Sequence, residues 1–143
     1  MRELKTEIET NASKEKVWEV LMDFDKYPEW NPFIISLLGK PKLRERLKVT
    51  IQPQGSKPMV FKPRVTMHER YKKFAWLGQL WMTGIFDGHH MFEIEEVAPN
   101  SCKFIHREQF NGLLVPMLWK NLDTNTRAGF NAMNQKLKEI VEA

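Results

Sequence analysis

Cysteine is nearly absent. Cys102 stands alone among 143 residues, which excludes an internal disulfide and a thiolate metal cluster and fits the reducing cytoplasm. Long apolar runs are missing as well. The longest uncharged one, Leu113 to Trp119, falls far short of the ~20 residues a membrane span needs, so no integral membrane association is expected. The opening Met1-Arg-Glu-Leu-Lys-Thr-Glu7 lacks the apolar stretch of a secretory signal. Charge of one sign is scarce too: 22 Lys and Arg against 18 Asp and Glu leave +4. Such a balance tolerates an anionic ligand but demands no nucleic acid, and none is expected as a partner. There is no Gly-x-Ser-x-Gly elbow, no phosphate-cradling P-loop, no dinucleotide fingerprint and no His-Glu-x-x-His. No cofactor is expected.

What the chain does have is apolar and aromatic content, 42% and 11%, enough to bury a core as one domain over residues 1–143. Leu4, Thr6 and Ile8 alternate with Lys5, Glu7 and Glu9, the period of a half-buried strand. Asn11-Ala-Ser13 offers caps, and Val17, Val20, Leu21 and Phe24 follow at helical spacing, predicting a helix over 14–24. Pro28 and Pro32 then enforce a turn or a second short helix. From Phe33 to Phe110 the pattern is β: runs at Leu43–Ile51, Val60–Met67, Phe74–Trp81, Ile85–Val97 and Cys102–Phe110, separated by turn residues. Leu118, Leu122, Thr126, Phe130, Met133, Leu137, Ile140 and Val141 form the stripe of a final helix, with Pro116 suited to its first turn.

The order predicts an α+β fold: a curved antiparallel sheet of about six to seven strands wrapped on one long C-terminal helix, with one or two short helices after the first strand. One helix is too narrow to cover so wide a sheet. The remaining gap must be filled by large side chains, a short helix or a guest molecule.

Three blocks carry a family resemblance. Val17-Trp18-Glu-Val-Leu-Met-Asp23 leading into Tyr27-Pro-Glu-Trp30-Asn31-Pro32-Phe33 resembles the opening of the START-like, or SRPBCC, superfamily, whose helix-grip fold is also that of the birch-pollen allergen. Phe74-Ala-Trp76-Leu-Gly78 with Phe86-Asp-Gly88-His-His90-Met-Phe92 is similar to the middle strands of its polyketide cyclase/dehydrase-like branch. Glu108-Gln-Phe110-Asn-Gly112-Leu-Leu-Val-Pro116 is similar to that branch's entry into the last helix. The resemblance implies a cavity between sheet and helix that different members use for lipids, sterols, polyketides or hormones. Fold alone does not fix which.

Polar residues on apolar faces bear most on chemistry. If Phe86, His90, Phe92 and Ile94 face inward, and Phe104, His106, Glu108 and Phe110 do the same on the next strand, His90 meets Glu108 directly or diagonally, with His106 near Phe92 or Ile94. A Glu beside a His can simply satisfy a buried strand, can orient a ligand carbonyl or hydroxyl, or can move protons. A register slip of one residue would put all three in solvent. Zinc is not expected, because His89 and His90 point to opposite faces.

Trp30, Phe33, Trp76, Phe86, Phe92, Phe110 and Phe130, with Met117 and Met133, are candidate walls of a cavity, and methionine adapts to irregular guests. Met67 belongs to the same apolar set. Gly129, in mid-helix, suggests close packing. Lys40, Lys42, Arg44, Arg46 and Lys48 would give one strand a basic outer face.

Three functions stay open. The first is a binder of a hydrophobic small molecule, with His90, His106 and Glu108 as polar contacts. The second is a cyclase or dehydratase using the His-Glu pair. The third is a partner-binding module acting through the basic strand face or the helix. A homodimer is compatible with each.

Overall fold

The structure, a computed structural model, describes residues 1–80 and 82–143. The chain opens with β1 (Arg2–Thr10) and α1 (Lys14–Met22), whose N-cap Ser13 accepts from Lys16 N. A 3-10 turn at Phe24–Lys26 leads into the short α2 (Tyr27–Trp30), with Pro28 in its first turn. The strands β2 (Ile34–Leu38), β3 (Lys48–Ile51), β4 (Met59–Phe61), β5 (Arg64–Glu69), β6 (Lys73–Leu80), β7 (Phe86–Ala98) and β8 (Ser101–Asn111) follow. Helix α3 (Val115–Asn121), a π-helical turn at Leu122–Thr126 and α4 (Arg127–Glu142) close the chain. Trp81, the expected end of one β run, lies outside the described residues.

Five strands form an antiparallel sheet in the order β1-β8-β7-β6-β5, and β2-β3-β4 form a second, three-stranded sheet. The last 28 helical residues lie along the structure as the grip, so the architecture is the helix-grip fold. Among the described residues no helix is long and apolar enough to cross a membrane.

Two departures from the sequence reading have local causes. The run Val60–Met67 divides into β4 and β5 because Pro63, without an N–H, interrupts the ladder. The Leu43–Ile51 run shortens to Lys48–Ile51. Its first half leaves the small sheet and docks on the edge of β5, with Arg44 N donating to Val65 O and Leu47 N to Pro63 O. Arg44 sits at φ 72, which breaks the alternation. Lys40, Lys42, Arg44, Arg46 and Lys48 therefore do not share one strand face, and Arg46 Nη1 is spent on Lys62 O at 2.7 Å. The basic strand face, one of the two surfaces expected for partner binding, does not form.

The terminal helix explains its own π turn. Leu118, Leu122, Thr126 and Phe130 are spaced by four, and each such step overshoots an α turn by ~40°. The wider π turn absorbs that drift and keeps Thr126 and Phe130 buried on the same side. Beyond it, Phe130, Met133, Leu137 and Val141 pack solidly. A methyl group on Gly129 would strike the Phe33 ring, so this glycine lets α4 close on the entry to β2.

Candidate functional site

The register lays inward side chains in rows across the sheet. Trp76 pairs with His90 and His90 with Glu108. One step away Phe74, Phe92, His106 and Thr6 form the next row. On the other side stand Gly78, Gly88 and Phe110. A β-bulge between Glu96 and Ala98 makes this alignment. Had pairing run straight on from Ala98↔Ser101, His90 would face Gln109 and the inward set would be scrambled.

The polar side chains join in one chain of hydrogen bonds. Glu108 Oε1 lies 3.2 Å from His90 Nδ1, His90 Nε2 lies 2.8 Å from His106 Nε2, and His106 Nδ1 lies 2.9 Å from Asn134 Oδ1. Asn134 Nδ2 donates to Thr6 Oγ1 at 2.8 Å, and Thr6 Oγ1 donates to the His106 carbonyl at 2.9 Å.

The partners assign the protons. The carbonyl of His106 can only accept, so Thr6 donates to it and must accept from the Asn134 amide. Asn134 Oδ1 then accepts, which places a hydrogen on His106 Nδ1 and leaves His106 Nε2 as an acceptor. His90 Nε2 must donate to it. One proton remains for the contact between His90 Nδ1 and Glu108 Oε1, carried by one side or the other.

Burial supports this assignment. His106 is fully buried, and desolvation pushes its imidazole well below the ordinary histidine value, with His90 adding to the depression and the Asn134 bond opposing it. It is the neutral ring the chain requires. Its ring stacks on Phe130 at 3.9 Å, while His90 stacks on Trp76 at 4.9 Å. His89 sits on the opposite sheet face, bonded to Thr66 Oγ1 at 2.8 Å. Among the described residues no three His, Cys, Asp or Glu side chains are arranged to hold a metal ion.

Glu108 is the end of the chain that meets open space. Its side chain is 16% exposed, and its Oε2 lies so close over Gly88 that a methyl group there would strike it. Beside it a pocket leaves about 80 Å³ for the centres of water-sized groups, where one water needs about 10–15 Å³. The main sheet contributes Trp76, Gly78, Leu80, Phe86, Gly88, His90, Glu108 and Phe110 to its wall. Phe33, Val49, Ile51, Met59 and Phe61 come from the small sheet and its entry, and Leu122 and Thr126 from the π turn. Pro53 and Pro63 complete the lining. The hollow therefore lies between the two sheets and the π turn, not along α4.

Of the candidate walls, Phe33, Trp76, Phe86 and Phe110 line this pocket with His90 and Glu108. His106, Phe92 and Phe130 pack behind His90, with both Phe rings about 5 Å from its imidazole. Met133 is buried in the solid part of the core, and Trp30 lies against Tyr27. Met117 is no wall: it is 73% exposed, because two residues past the buried Val115 the helix has turned by ~200°. The sequence reading missed Thr6 and Asn134 as network members. Asn134 lies at helical spacing from Phe130 and Leu137, a signal that was present. It also missed the small sheet's share of the wall and the inward glycines Gly78 and Gly88.

The family model described as polyketide cyclase / dehydrase and lipid transport matches residues 1–142. No curated protein sequence matches the chain significantly. Among solved structures, the di-domain ARO/CYC BexL from the BE-7585A biosynthetic pathway superposes with TM-score 0.77 at 14% identity, over 100% of this chain and 48% of that one. This chain thus spans about half of that protein. A START superfamily protein from Mycobacterium smegmatis has TM-score 0.71 and 22% identity, covering 96% and 98% of the two chains. A Thalictrum norcoclaurine synthase point mutant, in complex with a transition state analogue, has TM-score 0.74 and 14% identity over 98% and 93%. At these identities the likeness is one of fold.

Proposed function

The chain belongs to the polyketide cyclase / dehydrase and lipid transport family, and from that premise we propose that it binds a compact hydrophobic small molecule in the pocket beside Glu108. The carrying observation is an apolar hollow whose wall holds one carboxylate–imidazole pair. Recognition sites of this kind join greasy walls with few, fixed polar groups. The size favours an aromatic or short-chain guest over a long lipid tail. All the lining residues named above come from one chain, in keeping with a binder that works as one domain; a homodimer is compatible with this reading. The lone buried Cys102 fits a cytoplasmic setting.

Native mass spectrometry of the purified protein, with a thermal-shift screen of small aromatics and ketides, tests this reading. A retained mass or a saturable rise in Tm supports it. A protein that is empty and indifferent to every such compound overturns it.

One observation favours a second reading, a cyclase or dehydratase. The proton shared by His90 and Glu108 lies at the pocket wall, where an acid–base pair would act on a bound ketide. Turnover with a pH dependence that disappears in Glu108→Gln supports it. Binding without conversion of any candidate supports the first.

A further inference from the structure

The hydrogen-bond chain also says what the guest must offer. Each side-chain hydrogen bond from Thr6 to His90 is donated inward, toward the His106 carbonyl. The last proton lies between His90 Nδ1 and Glu108 Oε1. Two placements exist. On His90 it leaves a carboxylate, and Oε2 presents lone pairs. On Oε1 it leaves a carboxylic acid donating to His90, and Oε2 is the carbonyl-type oxygen, again presenting lone pairs. The free oxygen beside Gly88 is an acceptor in either case, and both ring nitrogens of His90 are already engaged.

The rest of the wall adds no counter-charge. Among the described residues lining the pocket there is no Lys or Arg, and the remaining polar groups are the Thr126 hydroxyl on the π turn and the indole N–H of Trp76, whose ring stacks on His90. A carboxylate entering here would lose its water, face Glu108 and find no dedicated cation. At Glu108 Oε2 an ether or ketone would set lone pairs against lone pairs.

We propose that the pocket selects guests by a hydrogen-bond donor, a hydroxyl or ammonium on a compact apolar body, and rejects carboxylates and acceptor-only molecules. This deepens the ligand-binding reading and rests on it.

The test uses p-cresol, p-xylene, 4-methylanisole, 4-methylbenzoate and 4-methylbenzylamine, with affinities from ligand-observed NMR or calorimetry. p-Cresol and p-xylene have nearly the same shape and differ in the donor. p-Cresol is expected to bind at least tenfold tighter than 4-methylanisole, and 4-methylbenzoate weakest. Glu108→Leu is expected to lower the cresol-to-xylene affinity ratio at least tenfold. Glu108→Gln, which keeps shape without the charge, is expected to weaken 4-methylbenzylamine at least tenfold more than p-cresol, and it decides the matter should the Leu variant not fold. Equal affinity for cresol and methylanisole, or tighter binding of the benzoate, overturns donor selection while leaving the pocket a binding site. Failure of all five to bind the wild-type protein overturns the ligand-binding reading itself.

Discussion

Gly78 and Gly88 face each other across β6 and β7, and both line the pocket. The two do not tolerate a side chain alike. A Cβ on Gly78 meets Pro63 Cβ at 3.7 Å and Gly88 O at 4.0 Å, ordinary contacts. A Cβ on Gly88 strikes the Glu108 carboxylate.

Gly78→Val is therefore expected to fold with unchanged or slightly higher stability, up to about 1 kcal/mol, since glycine inside a strand carries an entropic cost. It fills the hollow, so binding of small aromatics falls at least tenfold by calorimetry. Gly88→Ala is expected to push the Glu108 carboxylate aside and lose about 1–3 kcal/mol through the weakened bond to His90, read by chemical denaturation. Equal behaviour of the two variants would mean that the hollow is not shaped by this pair.

This contrast marks what was legible beforehand. The meeting of His90 and Glu108 followed from alternation on two long strands and a short turn at 98–101, although the bulge at Val97 that secures the register left no readable trace. Helix α1 followed from Ser13 and apolar spacing. The small sheet did not, because its strands are short and its course is set by tertiary contacts of Arg44, Leu47 and Pro63. Asn134 escaped because a stripe read for apolar residues passes over a polar one buried within it. The position of the pocket depends on side chains that are absent, and hydrophobic patterns register only those present.

Glu108→Gln isolates the shared proton. The amide N–H can donate to a neutral His90 Nδ1, so the bond survives and stability is expected to stay within about 1 kcal/mol of wild type. If the pair does chemistry, turnover falls by about 10²–10⁴-fold while near-UV circular dichroism is unchanged. A variant that folds as well and converts a candidate ketide at the wild-type rate removes Glu108 from any acid–base role.

His106 sets an acid limit on stability. Burial lowers its folded-state proton affinity far below that of the unfolded chain, where an ordinary histidine titrates near ~6.5. Between those two values the unfolded state binds the extra proton, so stability is complete above ~6.5 and is lost as pH falls below it, by up to about 1.4 kcal/mol per pH unit. Denaturation midpoints from pH 8 to 5 should show that slope. In His106→Gln the slope should be shallower by about one proton. Identical slopes in the two proteins would contradict the neutral, desolvated ring.

Asn134 holds the inner end of the network and separates hydrogen bonding from charge. Asn134→Leu preserves bulk but leaves His106 Nδ1–H and Thr6 Oγ1 without their buried partner, an expected cost of about 2–3 kcal/mol. Asn134→Asp keeps an oxygen at His106 Nδ1 and adds negative charge beside it. A carboxylate there favours the imidazolium, so the proton affinity of His106 rises toward that of the unfolded chain and the acid loss of stability becomes shallower. An NMR titration of the His106 ring reads the shift directly, with the midpoint higher in Asn134→Asp than in wild type. A lower or unmoved midpoint would show that Nδ1 does not carry the proton facing residue 134. The one-way order of protons from Glu108 to the His106 carbonyl would then be wrong from its first step.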